Sequence, residues 1–133
     1  ILFTGWQDPV VSAHDVIAYH EAVTARRPDA GDFARLFMIP GMGHCALGPG
    51  ATHFSTSTRN STPAGTDAAH DVTAALERWV EQGEAPSRIT AVHYRDGRPE
   101  NGVRFARPLC PWPQAAVYDG RGDPDRADSF TCR

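Results

Sequence analysis

The sequence has few positive charges, few cysteines and no long apolar stretch. The low positive charge and the lack of long apolar stretches argue against nucleic acid and membranes as partners. Its 13 basic residues, all of them Arg, are outnumbered by 16 acidic residues, which gives a formal net charge of −3. Such a chain lacks the basic surface that binding to nucleic acid or an anionic membrane requires. No apolar run approaches the roughly 20 residues of a membrane-spanning helix. We therefore expect neither nucleic acid nor a membrane as a partner.

The chain has only three cysteines, an odd number. Cys110 and Cys132 enclose a tail rich in Pro and Gly, which is typical of a segment that a disulfide holds in place. That pairing leaves Cys45 without a partner in this chain. Because disulfides form in oxidising compartments, a secreted or periplasmic protein is expected. The alternative, three free thiols in a cytosolic protein, stays open at this point.

Strand-like and helix-like patterns alternate along the chain. Residues 1–4 and 36–39 are continuous apolar runs, typical of strands buried on both faces. Ser12 is predicted to cap a helix between them, and Thr66 to cap a second helix after them. This strand–helix–strand–helix order is half of an α/β fold. Because the chain begins inside a predicted strand, we expect it to be a fragment of a larger domain.

The remaining pattern predicts which helix faces are buried and how the chain ends. A strand at 89–94, a turn at Asp96 and Gly97 and a returning strand at 103–105 form a predicted hairpin. The tail after it is expected to be irregular. His14 and His20 are expected to be solvated or half-buried. An apolar stripe on the first helix is predicted at Val16, Tyr19, His20 and Val23, and a buried stripe on the second at Val72, Leu76, Trp79 and Val80.

Two polar side chains follow the two predicted buried strands. Asp8 lies in the turn after the first, and His44 follows a break made by Pro40, Gly41 and Gly43 after the second. If the strands are neighbours in one sheet, we expect a carboxylate oxygen of Asp8 within hydrogen-bond reach of the His44 ring. The order Asp then His is that of an α/β-hydrolase triad, in which the carboxylate orients the imidazole that acts as base. An Asx turn at Asp8 and a packing role for His44 are the simpler alternatives.

The chain lacks the third member of such a triad. None of its six Ser residues lies in a G-x-S-x-G elbow, so we expect the nucleophile to lie outside this chain. One alternative is a metal site made of His44, Cys45 and His53, but the spacing fits no standard zinc pattern, and no metal ligand is predicted. The other alternative is a non-catalytic α/β binding or structural domain.

Four ordered segments together resemble the C-terminal part of the tannase and feruloyl esterase family, which includes esterases of mono(hydroxyethyl) terephthalate. They are residues 5–9 (GWQDP), 40–45 (PGMGHC), 79–86 (WVEQGEAP) and 107–111 (RPLCP). The resemblance implies that residues 1–133 are the C-terminal fragment of an α/β-hydrolase catalytic domain. In such a fragment a hairpin and a disulfide-tied tail follow the strand–helix–strand–helix order.

The resemblance also implies roles for individual residues. Asp8 would be the triad acid, His44 the general base, and Cys110–Cys132 the C-terminal disulfide of the family. Cys45 would be bonded to a Cys just before the nucleophilic Ser, outside this chain. The missing upstream half would carry that Ser, the oxyanion hole and a lid domain with a calcium site, so no cofactor is expected in this chain. The implied substrate is a small aromatic ester, such as a gallate or a ferulate.

Overall fold

A computed structural model of the chain describes residues 1–58 and 61–133. Its strands and α-helices are β1 (Leu2–Gly5), α1 (Ala13–Arg26), β2 (Leu36–Ile39), α2 (Val72–Gln82), β3 (Ile89–Tyr94), β4 (Val103–Leu109), β5 (Ala116–Tyr118) and β6 (Phe130–Cys132). Residues 46–65 contain no helix or strand among their described residues, which exclude 59–60, and His53 in this segment forms a single-residue bridge with Val92. Within the described ranges, no helix is long and apolar enough to cross a membrane.

The first half of the chain has the predicted strand–helix–strand order. β1 and β2 pair in parallel, from Leu2 beside Leu36 to Gly5 beside Ile39, and α1 connects them. All four residues of β2 are buried, as its continuous apolar run predicted. Because the strands are parallel and in register, their carboxyl ends lie at one edge of the pair. The loops that follow β1 and β2 therefore begin side by side.

β2 is the centre of the core because its side chains alternate between two apolar clusters. Phe37 and Ile39 face the larger cluster, which also contains Phe54, Ile89 and Leu109 among others. Leu36 and Met38 face the smaller cluster, together with Ala13 and Ile17 of α1. Full burial of each large apolar side chain contributes about 1.5–3 kcal/mol. Both faces of β2 are thus covered, which fixes the strand that leads into the His44 loop.

The second half is antiparallel. β3 pairs with β4 as the predicted hairpin, from Ile89 beside Leu109 to Tyr94 beside Val103. A bridge between Phe37 and Pro111 links the end of this hairpin to β2. In the described parts of the chain the strands form three separate two-stranded sheets. The α/β order therefore holds for the first half, and an antiparallel hairpin packs beside it.

α1 begins where the sequence predicts, but it buries a different stripe. The Ser12 hydroxyl accepts a hydrogen bond from the Asp15 backbone N–H at 3.4 Å, so the predicted cap forms. The buried positions are Ala13, Ile17 and His20, whereas Tyr19 is 61% exposed. The prediction for Tyr19 was wrong because Ile17 packs against Leu36 and Met38, and Tyr19, two residues further on, lies on the opposite side of the helix.

α2 begins five residues later than predicted. Its cap is Asp71, whose carboxylate accepts from the Thr73 backbone N–H, and not Thr66. Leu76 and Val80 are exposed, and the buried residues are Val72, Ala75 and Trp79. Gly83 ends the helix in the left-handed conformation with φ 72°, which glycine adopts readily.

His20 is a buried histidine without a hydrogen-bond partner. The residue is 8% exposed, and in the described part of the chain neither ring nitrogen has a partner. The expectation of a half-buried or solvated His20 is therefore wrong, whereas His14 on the same helix is exposed. Burial lowers the pKa of His20, because a charged imidazole is poorly solvated there.

Replacing His20 with Leu is expected to make the fold less sensitive to acid. Unfolded His titrates near 6.5, and folded His20 titrates lower, so between these pKa values the unfolded chain binds the extra proton. The free energy of unfolding therefore falls as the pH drops below about 6.5. Urea denaturation at about pH 7 and about pH 5 should show a smaller loss for His20→Leu than for the parent. His14→Leu, the matched control, should keep the parental loss, and equal losses in both variants would contradict the role of His20.

The tail is more regular than predicted. β5 and β6 pair antiparallel, with Ala116 beside Cys132 and Tyr118 beside Phe130. Cys110 and Cys132 form a disulfide across a sequence separation of 22. In the loop-entropy model such a bond contributes on the order of 3 kcal/mol. Two three-residue strands cannot be stable alone, so the disulfide and the contacts with β4 hold them.

Candidate active site

Asp8 lies on the turn after β1, and its two carboxylate oxygens have different hydrogen-bond partners. Oδ1 accepts hydrogen bonds from the backbone N–H groups of Val10 at 2.8 Å and Val11 at 3.0 Å. Oδ2 is 2.9 Å from Nδ1 of His44. The Asx-type turn and the contact with His44 are therefore compatible, because each uses a different oxygen. The turn fixes the carboxylate and leaves one oxygen for the imidazole.

The Asp8 carboxylate is held in its ionised form. Its side chain is only 3% exposed, and this burial by itself raises the pKa. The backbone N–H groups of Val11 and Val10 and the ring of His44 outweigh burial, so the pKa of Asp8 lies below its ordinary value. Asp8 is thus an anion throughout the neutral range.

His44 presents its second nitrogen to the surroundings. Its Nδ1 faces Asp8, and its side chain is 49% exposed. A carboxylate only accepts hydrogen bonds, so it favours the tautomer with the proton on Nδ1. The lone pair of Nε2 is then free to take a proton from another group. This is the arrangement of the acid and base in a catalytic triad.

A second His–Asp pair, His70 with Asp67, differs from the His44–Asp8 pair in how it is formed. His70 Nδ1 is 2.9 Å from Asp67 Oδ1, but the two residues are three apart and the Asp67 side chain is 63% exposed. The contact of His44 with Asp8 instead joins two loops 36 residues apart. Tertiary structure builds that contact, whereas local geometry alone explains the one between His70 and Asp67.

The two loops of the site pack backbone against backbone. The Trp6 N–H donates to the Ile39 carbonyl and the Gln7 N–H to the Met42 carbonyl, both at 3.1 Å. A Cβ on Gly5 would overlap the Met42 carbonyl oxygen, and one on Gly50 would overlap the Pro40 carbonyl oxygen. Only glycine permits these approaches. Sequence reasoning treated the glycines as breakers of structure and missed this packing, whose partners are distant in sequence.

Replacing Gly5 with Ala is expected to destabilise the chain by about 3 kcal/mol, at the upper end of overpacking costs. The added Cβ must push the His44 loop away, since a Gly43 carbonyl oxygen also lies 2.6 Å from its ideal position. Urea denaturation measures the change. Gly31→Ala is the matched control, because the nearest atom to a Cβ there is an Arg35 nitrogen at 3.8 Å. A Gly5→Ala chain as stable as Gly31→Ala would show that the loops do not need this approach.

The residues after His44 adopt unusual backbone conformations. Cys45 has φ 60° and Leu47 has φ 62°, although neither is glycine. Such conformations cost free energy and cluster at functional sites. Cys45 is an exposed free thiol in this chain. Its expected partner outside the chain is considered below.

The segment beyond this loop is fastened by a buried carboxylate that sequence reasoning did not single out. Asp71, 3% exposed, accepts from the Thr56 hydroxyl at 2.7 Å and from the Thr56 N–H at 3.2 Å. Burial by itself raises the pKa of Asp71. The hydrogen bonds from Thr56 and Thr73 lower the pKa by more than burial raises it, so the net shift is downward. The helix cap thus also anchors the loop.

His53 has a structural environment. Its Nδ1 accepts from the Thr62 N–H at 3.1 Å, and its ring packs edge-on against Tyr94. Burial, and then the charge of His93, lowers the pKa of His53. Across residues 1–58 and 61–133, no three His, Cys, Asp or Glu side chains are grouped to hold a metal ion. The structure therefore gives no support to a metal site made of His44, Cys45 and His53.

Comparison with known proteins shows that the chain is similar to esterases. The family model described as tannase and feruloyl esterase matches residues 1–133. The chain is 42% identical over 146 residues to an uncharacterised esterase of Xanthomonas campestris pv. campestris, with 99% of this chain and 25% of the relative covered. It is 40% identical over 132 residues to the mono(2-hydroxyethyl) terephthalate hydrolase of Piscinibacter sakaiensis, with 99% and 19% covered.

Solved structures have the same fold over this region. Feruloyl esterase B from Aspergillus oryzae superposes with a TM-score of 0.84 at 25% identity, covering 98% of this chain and 26% of the other. Another esterase from Aspergillus oryzae gives a TM-score of 0.83 at 28% identity, with the same coverage. The chain thus spans only about a fifth to a quarter of the length of the relatives it matches.

Proposed function

The chain belongs to the tannase and feruloyl esterase family, and from this premise we propose that it supplies the acid and base of a serine carboxylic ester hydrolase. The observation that carries the proposal is the 2.9 Å contact between Asp8 Oδ2 and His44 Nδ1. That contact leaves Nε2 of a half-exposed imidazole available for proton transfer. Relatives that are named as esterases support the same class of reaction.

The proposed reaction has two halves, formation and hydrolysis of an acyl-enzyme. In each half His44 first takes up a proton and then donates it. Nε2 takes the proton of the Ser hydroxyl as the Ser oxygen attacks the ester carbonyl carbon. It then gives this proton to the departing alcohol oxygen, which leaves an acyl-enzyme. Water attacks next, Nε2 takes its proton, and the Ser oxygen recovers a proton as the free acid departs. Asp8 remains ionised and stabilises the imidazolium in each step.

The nucleophile belongs, in this proposal, to a part of the protein outside these 133 residues. No G-x-S-x-G elbow occurs in the sequence, and the relatives are four to five times longer than the matched region. We assign residues 1–133 to the C-terminal part of an α/β-hydrolase catalytic domain. The upstream part would supply the Ser, the oxyanion donors and the Cys that pairs with Cys45. Any calcium would be held by the lid domain there, and no step here involves it.

An aromatic ester is the proposed substrate. Two of the relatives are named for esters of aromatic acids, a terephthalate hydrolase and a feruloyl esterase. Two large apolar side chains on the loops that carry Asp8 and His44 are exposed: Val10 is 72% exposed and Leu47 is 65% exposed. An oxidising compartment, secreted or periplasmic, is proposed because Cys110 and Cys132 are disulfide-bonded.

A segment exchange tests the proposal. In the hybrid enzyme, this chain replaces the matching segment of the Piscinibacter sakaiensis hydrolase, to which it is 40% identical. We expect the hybrid enzyme to hydrolyse mono(2-hydroxyethyl) terephthalate, and the 133-residue chain alone to be inactive, because it lacks a nucleophile and oxyanion donors. The intact relative is the positive control. A hybrid that folds cooperatively but has no activity would favour the alternative, a non-catalytic binding or structural domain.

A further inference from the structure

A cavity of about 370 Å³ lies beside the site but outside the Asp8–His44 pair. Its wall is mainly aromatic and apolar, and the residues that matter here are Trp6, Phe105, Arg107, Trp112 and Phe130. Neither Asp8 nor His44 is part of the lining. The volume lies within the range of small-molecule sites, which combine apolar walls with a few placed polar groups.

Among the described residues that line the cavity, Arg107 has the one charged side chain. Its guanidinium carbon is 4.9 Å from the Phe105 ring centre and 4.6 Å from that of Phe130, so the cation lies between two rings. On its far side Phe105 stacks on His93, with ring centres 4.9 Å apart and planes 5° from parallel. The rings hold the guanidinium in place before any ligand arrives.

The donors of Arg107 are mostly unused. Within the described residues, its hydrogen bond is the one from Nη1 to the Ala106 carbonyl at 2.8 Å, and it forms no ion pair with a carboxylate. The guanidinium is partly buried and its planes contact aromatic rings, so its remaining N–H donors are free to bind an acceptor. The segment RPLCP, which helped to define the family resemblance, contains Arg107 but has no part in the Asp8–His44 pair. A ligand that carries negative charge would complete the site.

We propose that this cavity binds a planar aromatic carboxylate. The planar guanidinium fork matches a carboxylate with two parallel hydrogen bonds. The indoles of Trp6 and Trp112 offer apolar faces for an aromatic ring, and their own ring centres are 6.4 Å apart. An aromatic acid is also the kind of product that hydrolysis of an aromatic ester releases. The binding site itself depends on neither Asp8 nor His44.

Titration of the 133-residue chain with 4-hydroxybenzoate tests the proposal directly. Two of the three tryptophans, Trp6 and Trp112, line the cavity, so a ligand there should change the fluorescence above the constant signal of Trp79, and two-dimensional NMR maps the shifted residues. The acid is expected to shift Trp6, Arg107 and Trp112, and to bind at least about tenfold more tightly than its methyl ester, which lacks the charge. Cyclohexanecarboxylate, which has the charge without the ring, should also bind more weakly. If the acid and the ester bind equally, or if the shifts lie away from the cavity, the proposal is wrong.

Two variants, each with a control variant, test whether binding of the acid occurs in the cavity. Arg107→Met should weaken the acid at least about tenfold and leave the methyl ester unchanged, whereas Arg104→Met, at an exposed position of the same strand, should leave both unchanged. Ala115→Phe narrows the cavity from its exposed rim and should also abolish binding. Val117→Phe, which lies outside the lining, is its control. Undiminished binding by Ala115→Phe would contradict the proposal even if Arg107→Met does not fold.

The same titration with the hybrid enzyme decides between a ligand and a protein segment as the occupant. If the cavity is empty in the hybrid enzyme, the hybrid should bind the acid as the isolated chain does. The hybrid is also the folded sample to use if the isolated chain lacks a dispersed NMR spectrum. Absence of binding by the hybrid would show that another part of the protein fills the cavity, which would overturn the proposal. His44→Ala in the hybrid should leave binding of the acid intact. Loss of the esterase proposal would appear in the activity, and loss of the cavity proposal would appear in the binding.

Discussion

Replacing His44 with Ala in the hybrid enzyme is expected to lower kcat by about 10⁴ to 10⁶, because the reaction loses the only group placed to take the Ser proton. Substrate binding does not involve this proton transfer, so KM should change little. Steady-state kinetics with mono(2-hydroxyethyl) terephthalate measures both. The exposed position of His44 and its lack of core contacts mean that the variant should keep the thermal stability of the parent.

The control for this experiment is built into the chain. His70 forms the same kind of contact with Asp67, at the same 2.9 Å, but on a surface turn before α2. His70→Ala should therefore leave kcat within about twofold of the parent, since surface substitutions away from the site have small effects. If His44→Ala and His70→Ala are equally active, His44 is a loop residue with a structural task.

Replacing Asp8 with Asn is expected to lower kcat by about 10⁴, as it does in other triads. The Val10 and Val11 N–H groups need an acceptor at the position of Oδ1, so the amide oxygen must take that place. The amide NH₂ then points at Nδ1 of His44 and donates to it. This favours the tautomer with the proton on Nε2, which can no longer act as base. The geometry is preserved while the proton is on the wrong nitrogen.

The tautomer provides a readout that a merely structural role of Asp8 would not change. Nitrogen NMR of the His44 ring should show protonation move from Nδ1 to Nε2 in Asp8→Asn, while thermal unfolding stays close to the parent. Asp67→Asn, at the exposed carboxylate of the second pair, should change neither kcat nor the His44 spectrum. Near-normal turnover of Asp8→Asn with a shifted tautomer would separate the carboxylate from catalysis and refute its assigned role.

The part of the site that could be predicted from sequence is the part that depends on strand order. A fully apolar run such as residues 36–39 leaves only a buried strand as a reasonable structure, and a second run at the start of the chain offers it a neighbour. Once two such strands are parallel, the residues that follow them must meet. Asp8 and His44 were therefore predicted together from their positions alone, although their contact joins residues 36 apart.

The remainder depends on contacts that no local pattern contains. Thr66 and Asp71 are equally good helix caps by local chemistry, and the buried contacts between Thr56 and Asp71 decide where α2 begins. The strands β5 and β6 are three residues long, and an alternation must extend over about four to eight residues before it predicts a strand. The cavity beside Arg107 is lined by several separate segments of the chain and could not be foreseen from any one of them.

The backbone packing of the two site loops has a consequence for how this protein can evolve. Main-chain atoms near Gly5, Gly41 and Gly50 hold the loops together, so the position of the imidazole depends little on neighbouring side chains. Val10 and Leu47, which lie on the same loops, point outward and support nothing behind them. These two residues can therefore be exchanged without moving the Asp8–His44 contact. If the proposed esterase function is correct, a change of substrate at Val10 or Leu47 and retention of the proposed acid and base can evolve independently.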